Sequence, residues 1–251
     1  MKAFVHKGNQ VIYTDVEKPK IAAGQVLVAL KCAGLNHRDL HIPKRRGENL
    51  EALVLGSDGA GIVEQIGEGV TDFKVGEEVI LNPSLGWYDT SDAPPEGYQI
   101  LGMPDHGTLA EYIVISADHL EKKPDFLTWE ESGVLALAGL TGYRAIFTKG
   151  NVKSGETVFI PGGGSGVSTF MIQFAKAVGA RVIVSSRIRE KRQKAIDLGA
   201  DLAIDTNCDW SQELKNEQID IVIESIGKAT FHRSLSVLKR GGKIVTFGAT
   251  T

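Results

Sequence analysis

The sequence predicts an α/β chain in two parts: a small all-β, barrel-like domain over residues 1–124, then a doubly wound parallel sheet over residues 125–251. Three observations carry this. At 251 residues, against about 150 per domain, the chain makes one large domain or two small ones. Its 29 glycines stand well above the average share of about 7%, and glycine marks turns and close backbone approaches. Most tellingly, the pattern changes at about Pro124, from short apolar runs cut by glycine to strands alternating with helices.

In the first part QVLVALKCAG, GAGIVEQIGEG, KVGEEVILNP and TLAEYIVIS read as strands, several with period-2 alternation. The stretch LGWYDTSDAPPEGYQILGMPDHG has no periodicity and reads as a long ordered loop, with Trp87 and Tyr88 as candidate pocket walls or local packers. Beyond Pro124, TWEESGVLALAGLTGYRAIF reads as a buried helix pair. Thr128 is its N-cap, and Glu131 three residues on completes a capping box. Five strands follow, TVFIP, RVIVSS, LAID, IDIVIE and GKIVTFG, with helical patterns over 167–178, 189–198 and 229–238. A complete sheet of this kind has six strands, so the last is expected to be missing at Thr251 and the chain to be a fragment or a natural truncation. A homo-oligomer is expected only with that missing segment present.

Lys+Arg 28 against Asp+Glu 31, a net charge of -3, speaks against a nucleic-acid partner. Cys32 and Cys208 alone form neither a disulfide framework nor a four-cysteine zinc knot. The N-terminus lacks the pattern of a cleaved leader, and no apolar run reaches membrane length. The expectation is a soluble, cytoplasmic protein whose partner is a small molecule, with neither nucleic acid nor membrane.

The strongest motif is VFIPGGGSGVSTFMIQFAKAVGARVIVSSR, in which a strand, a glycine turn, a helix and a further strand form one βαβ unit. Gly162, Gly163, Gly164, Ser165, Gly166 and Val167 bring bare backbone N–H groups to a helix N-terminus, the setting a dinucleotide pyrophosphate requires. The next strand ends in Ser185, Ser186 and Arg187 rather than in an acid, with Arg189 and Lys191 close behind. Hydroxyls and basic side chains there suit a 2′-phosphate and favour NADP(H), although a solvated helix start reads the same way.

With KCAGLNHRDL, LGSDGAGIVEQIGEGV and HGTLAEY ahead of that unit, the whole chain resembles the medium-chain dehydrogenase/reductase superfamily. It looks most like the zinc-free quinone oxidoreductase and alkenal or enoyl reductase branch. The resemblance implies a GroES-like barrel followed by a Rossmann domain. It also sets Asn36 where metal-dependent relatives carry a ligand Cys, and Ser57-Asp58 where they carry His-Glu, which implies no metal. Asn36, Arg38, Asp39 and His41 are the catalytic candidates, with His41 as proton donor. Arg38 and Asp39 read equally as a local ion pair, and His37 with His41, four apart, as a metal pair without a third ligand. The resemblance further sets Thr141, Gly248, Ala249 and Thr250 near the cofactor. The expected function is NADPH-dependent, zinc-independent hydride transfer to a quinone or an activated C=C bond. The alternatives are a zinc-free alcohol dehydrogenase or carbonyl reductase, and a truncated cofactor-binding protein without turnover.

Overall fold

The computed structural model describes residues 1–248 and divides into two compact units, Met1–Leu137 and a second beginning at Ala138. The first is built on antiparallel ladders. Strands β1 (Lys2–Lys7) and β2 (Gln10–Asp15) form a hairpin turned at Gly8, with φ +60°, and β3 (Gln25–Gly34) follows. A 3-10 turn, His37–Leu40, leads into the short helix α1 (Ile42–Arg46). Next come β4 (Leu53–Val54), β5 (Asp58–Ile66), β6 (Glu78–Leu81), β7 (Ser84–Leu85), β8 (Gln99–Ile100), β9 (Tyr112–Ser116) and β10 (Leu120–Lys122).

These strands hydrogen-bond in the orders β2-β1-β4 and β10-β6-β5-β3-β9. The first sheet is tied to the segment leading into β9 by an Ala3–Ala110 bridge and the bond from Phe4 N–H to Leu109 O at 2.8 Å. Alternate residues Val26, Val28, Val63, Val79, Leu81, Ile113 and Ile115 fill the unit's core, as the period-2 pattern demands. The segment read as a long ordered loop is pinned by a two-residue ladder, because β7 pairs with β8. Helix α2 (Trp129–Gly133) closes the unit with the expected capping box: Thr128 Oγ1 accepts from Glu131 N, and Glu131 Oε2 accepts from Thr128 N.

Helix α3 (Ala136–Tyr143) runs across the 137/138 boundary and widens into a π turn over Arg144–Lys149. This helix pair is less buried than its sequence predicts, since Val134, Leu140 and Tyr143 stay largely exposed. The parallel sheet follows as β11 (Thr157–Pro161), α4 (Gly166–Val178), β12 (Arg181–Ser186), α5 (Arg189–Asp197), β13 (Leu202–Asp205), an unforeseen turn of helix α6 (Trp210–Glu213), β14 (Ile219–Glu224), α7 (Phe231–Val237) and β15 (Leu238–Thr246). Its strand order is β13-β12-β11-β14-β15. β15 begins at Leu238 rather than at the GKIVTFG run, because Leu238 already pairs with Ile219.

Apolar side chains leave both faces of this sheet, as helices on both sides require. Val158, Ile160, Val182, Val184, Ile221 and Ile223 pack with Met171, Ile172 and Ala175 of α4. Phe159, Ile183 and Val222 point the other way, onto Trp210 and Leu214, with the Phe159 and Trp210 rings edge-on at 4.9 Å. Ile219 joins this second cluster although its parity matches Ile221, and the β14–β15 register shifts between these two residues.

Candidate functional site

The loop after β11 is shaped from within. Ser185 O on β12 accepts from Gly162 N at 3.0 Å and from Gly163 N at 2.8 Å, which folds the glycines back over the neighbouring strand. A Cβ on Gly163 would lie 2.6 Å from Val184 Cβ, one on Gly164 would run into the Lys191 stem, and Gly162 has φ +80°. Side chains are therefore excluded at Gly162, Gly163 and Gly164. Ser165 caps α4 by accepting from Ser168 N at 3.1 Å, so the first-turn amides at Gly166 and Val167 face outward with the positive end of the helix dipole. A bare loop running into a capped helix start fits a dinucleotide pyrophosphate. α3 lies against this same helix start, since a Cβ on Gly142 would sit 3.5 Å from Val167 O; Thr141 precedes that contact.

At the end of β12 the hydroxyls read as phosphate partners are engaged inside the protein. Ser185 is fully buried, and its Oγ accepts from Thr206 Oγ1 at 3.2 Å. Ser186 Oγ accepts from Ile188 N at 3.3 Å, and its carbonyl from Arg192, which pairs with Asp205 at 2.9 Å. Arg187, Arg189 and Lys191 remain exposed, with the Lys191 stem lying over Gly164. Beyond the sheet, Gly248, with φ +64°, lines a hollow of about 330 Å³ with Glu224, Gly227, Lys228 and Thr246. Ala249 and Thr250 lie outside the described residues.

In the first unit Asn36 ends the run from β3 in an extended conformation and links two acids. Its N–H donates to Asp39 Oδ2 at 2.8 Å and its Nδ2 to Asp58 Oδ2 at 2.9 Å, while Asp58 Oδ1 accepts from Leu137 N at 2.7 Å. Arg38 donates to Ser57 Oγ and, at 2.6 Å, to Leu101 O, and Ser57 Oγ itself donates to Leu101 O at 2.7 Å. Arg38 thus turns to Ser57 rather than to Asp39, and among the described residues no ion pair joins those two neighbours. Burial pulls the Arg38 guanidinium below its ordinary pKa and pushes the carboxyls of Asp39 and Asp58 up. Asp39 Oδ1 has no hydrogen-bond partner. His41 Nε2 lies 3.3 Å from Nδ1 of the exposed His37.

Among the described residues no group of three or more His, Cys, Asp or Glu could hold a metal ion. The donor chemistry around Asn36 does not suit zinc either: Nδ2 carries hydrogens aimed at Asp58, and the Ser57 hydroxyl is taken by Arg38 and Leu101. Trp87 and Tyr88 pack locally, Trp87 edge-on to Tyr98 at 5.1 Å and Tyr88 stacked on His119 at 5.5 Å. Sequence reasoning missed Arg192 and Glu224, and took Ser57 only as a lost ligand. Ser57 is met by partners distant in the chain, and Glu224 by the loop and helix start just after it, neither of which periodicity carries.

A family model described as Alcohol dehydrogenase GroES-like domain matches residues 22–125, and one described as Zinc-binding dehydrogenase matches residues 166–251. A protein of Leptosphaeria maculans named zinc-type alcohol dehydrogenase-like is 34% identical over 97% of this chain and 75% of its own length. The acryloyl-coenzyme A reductase of Metallosphaera sedula is 33% identical over 99% of this chain and 76% of its own. A solved NAD-dependent alcohol dehydrogenase superposes with a TM-score of 0.92 at 34% identity, covering 100% of this chain and 78% of that one.

Proposed function

This chain belongs to the medium-chain dehydrogenase/reductase superfamily of oxidoreductases, and we propose that within it the protein is an NADPH-dependent reductase of quinones or activated C=C bonds that works without zinc. The observation that carries the reading is the closed network Asn36–Asp58 and Arg38–Ser57–Leu101, which occupies both motif positions where metal-dependent relatives hold ligands. A polarising charge is still needed, because reducing a conjugated system puts negative charge on its oxygen. Arg38 supplies a half-buried cation there, with donors left over after Ser57 and Leu101, and guanidinium stays protonated at any working pH. Asn36 and Asp39 hold the turn that carries Arg38. The His37–His41 contact joins an exposed ring to a half-buried one and can pass a proton inward.

Gly162 to Val167 would hold the pyrophosphate, and Arg187 with Lys191 would meet a 2′-phosphate. Bound there, NADPH supplies the hydride. The second reading, reduction of an aldehyde or ketone, draws support from that same histidine pair as a proton source.

The test is turnover of chelator-treated protein with NADPH and with NADH, against quinones, enones, enals and ketones. Loss of the C=C from an enone, faster with NADPH, supports the proposal. A gained hydroxyl with the C=C intact selects the carbonyl reductase, and restoration of activity only by added zinc overturns the metal-free mechanism. Arg187→Ala combined with Lys191→Ala is expected to lower the NADPH-over-NADH preference about tenfold, the loss of about 1.4 kcal/mol of charge-assisted bonding.

A further inference from the structure

Glu224 ends β14 fully buried, and four neutral donors converge on it. Its Oε1 accepts from Ile226 N at 2.8 Å, Gly227 N at 3.1 Å and Thr230 Oγ1 at 2.9 Å, and its Oε2 from Ser234 Oγ at 2.6 Å. The carboxylate thereby gathers the whole loop 225–230 and the start of α7 around one point. A strand end buried this deeply needs no acid to be stable, and a loop on the surface needs no anchor of this strength.

The position of the loop supplies the reason. β12 lies on one side of β11 and β14 on the other, so the strand order reverses between β11 and β14, and in open parallel sheets ligands bind in the crevice outside the carboxyl ends at such a point. Gly162 forms one lip of that crevice and Ile226 the other: a Cβ on Gly162 would lie 3.3 Å from Ile226 Cδ1. Behind the loop lies the hollow bounded by Gly227, Lys228, Thr246 and Gly248. The strands β11 to β13 with the glycine loop make one mononucleotide-binding half, and β14 with β15 begin the other.

We propose that Glu224 is a positioning residue, whose carboxylate fixes loop 225–230 as the lip receiving the nicotinamide-bearing half of the dinucleotide while leaving the adenosine half to the glycine loop. This rests on the cofactor reading above. Glu224 touches no reacting atom; it acts through Ile226 and Gly227.

Dissociation constants for NADPH and for 2′,5′-ADP, which carries only the adenosine side, separate the two halves; NADH and 5′-AMP replace them if NADH binds the wild type tighter. Glu224→Ala is expected to weaken the dinucleotide about tenfold or more while changing the adenosine fragment less than about twofold, since each lost charge-assisted bond contributes up to about tenfold. Glu224→Gln restores affinity, because its Oε1 still accepts the three loop donors and its amide can donate to Ser234. Thr230→Val removes one donor in a chain that keeps Glu224, and is expected to weaken the dinucleotide about threefold with the fragment unchanged. Equal weakening of dinucleotide and fragment, or no change in either, overturns the positioning role. A wild-type chain that binds neither overturns the cofactor reading itself, and the proposal with it.

Discussion

Glu224 in the second unit and Asp39 in the first are both buried acids beside a tight backbone turn, and their surroundings differ in kind. Glu224 accepts four hydrogen bonds from neutral donors. Asp39 accepts one, from Asn36 N on Oδ2, and its Oδ1 accepts none. A buried carboxylate whose oxygens are filled is scaffold: removing it strands its donors, and a stranded buried donor costs more than a made bond contributes. A carboxylate left short of donors holds its proton more tightly and stays chemically available. In the first unit Asp39, beside Asn36 and Arg38, is of that second kind, while in the second unit Glu224 is of the first and holds a loop in place.

The largest expected consequence is in stability. Glu224→Ala is expected to cost about 3 kcal/mol in urea unfolding by leaving four donors unpaired, while Asp39→Ala costs less than about 1 kcal/mol; equal losses would erase the contrast. Next comes catalysis. Arg38→Ala is expected to lower kcat/KM for the electron-poor substrate about a hundredfold with nucleotide affinity unchanged, the reverse of the pattern expected at Glu224. Arg38→Lys does not rescue it, since an ammonium cannot span Ser57 and Leu101 with the same planar fork. A loss of nucleotide affinity in Arg38→Ala would break the division of labour.

Asp58 lies between the extremes, with one donor on each oxygen, and Asp58→Ala is expected to cost about 2 kcal/mol by stranding Asn36 Nδ2 and Leu137 N. The smallest effect is in pH dependence. Burial raises the Asp39 carboxyl above its unfolded value, with the Asn36 N–H and Arg38 opposing, so the folded chain binds more protons just above the ordinary carboxylate range. Asp39 therefore adds stability below its unfolded pKa, and that stability is lost as pH rises through the folded one. Asp39→Asn is expected to remove a few tenths of a kcal/mol of that slope, read as the difference in unfolding free energy between wild type and variant across the acid range. A steeper slope in the variant would mean that Asp39 is held ionised.

Much of this contrast was invisible along the chain. The five strands of the parallel sheet, the capping box of Thr128 and Glu131 and the start of α4 at the glycine run were legible, because each depends on period or on turn chemistry within a few residues. The Asn36 segment was legible only as a set of residue types. Its bonds from Asn36 to Asp58, from Arg38 to Leu101 and from Leu137 to Asp58 join residues far apart in sequence. Ser185 illustrates the cost of reading types without partners: its hydroxyl suggested a phosphate contact, yet the tertiary fold turns it to Thr206 and uses its carbonyl to shape the glycine loop.

By itself the sequence determined the main strands of both parts, the start of α4 after the glycine run and the Thr128 cap, because these follow from steric and hydrophobic preferences acting over one or two turns of chain. Tertiary structure alone decided which acid is filled and which is left short, where Arg38 points and what Glu224 holds. A buried polar group takes its character from the donors brought to it: for Glu224 they come from the loop and helix start that follow it, whereas Arg38 and Asp58 take partners from distant parts of the chain.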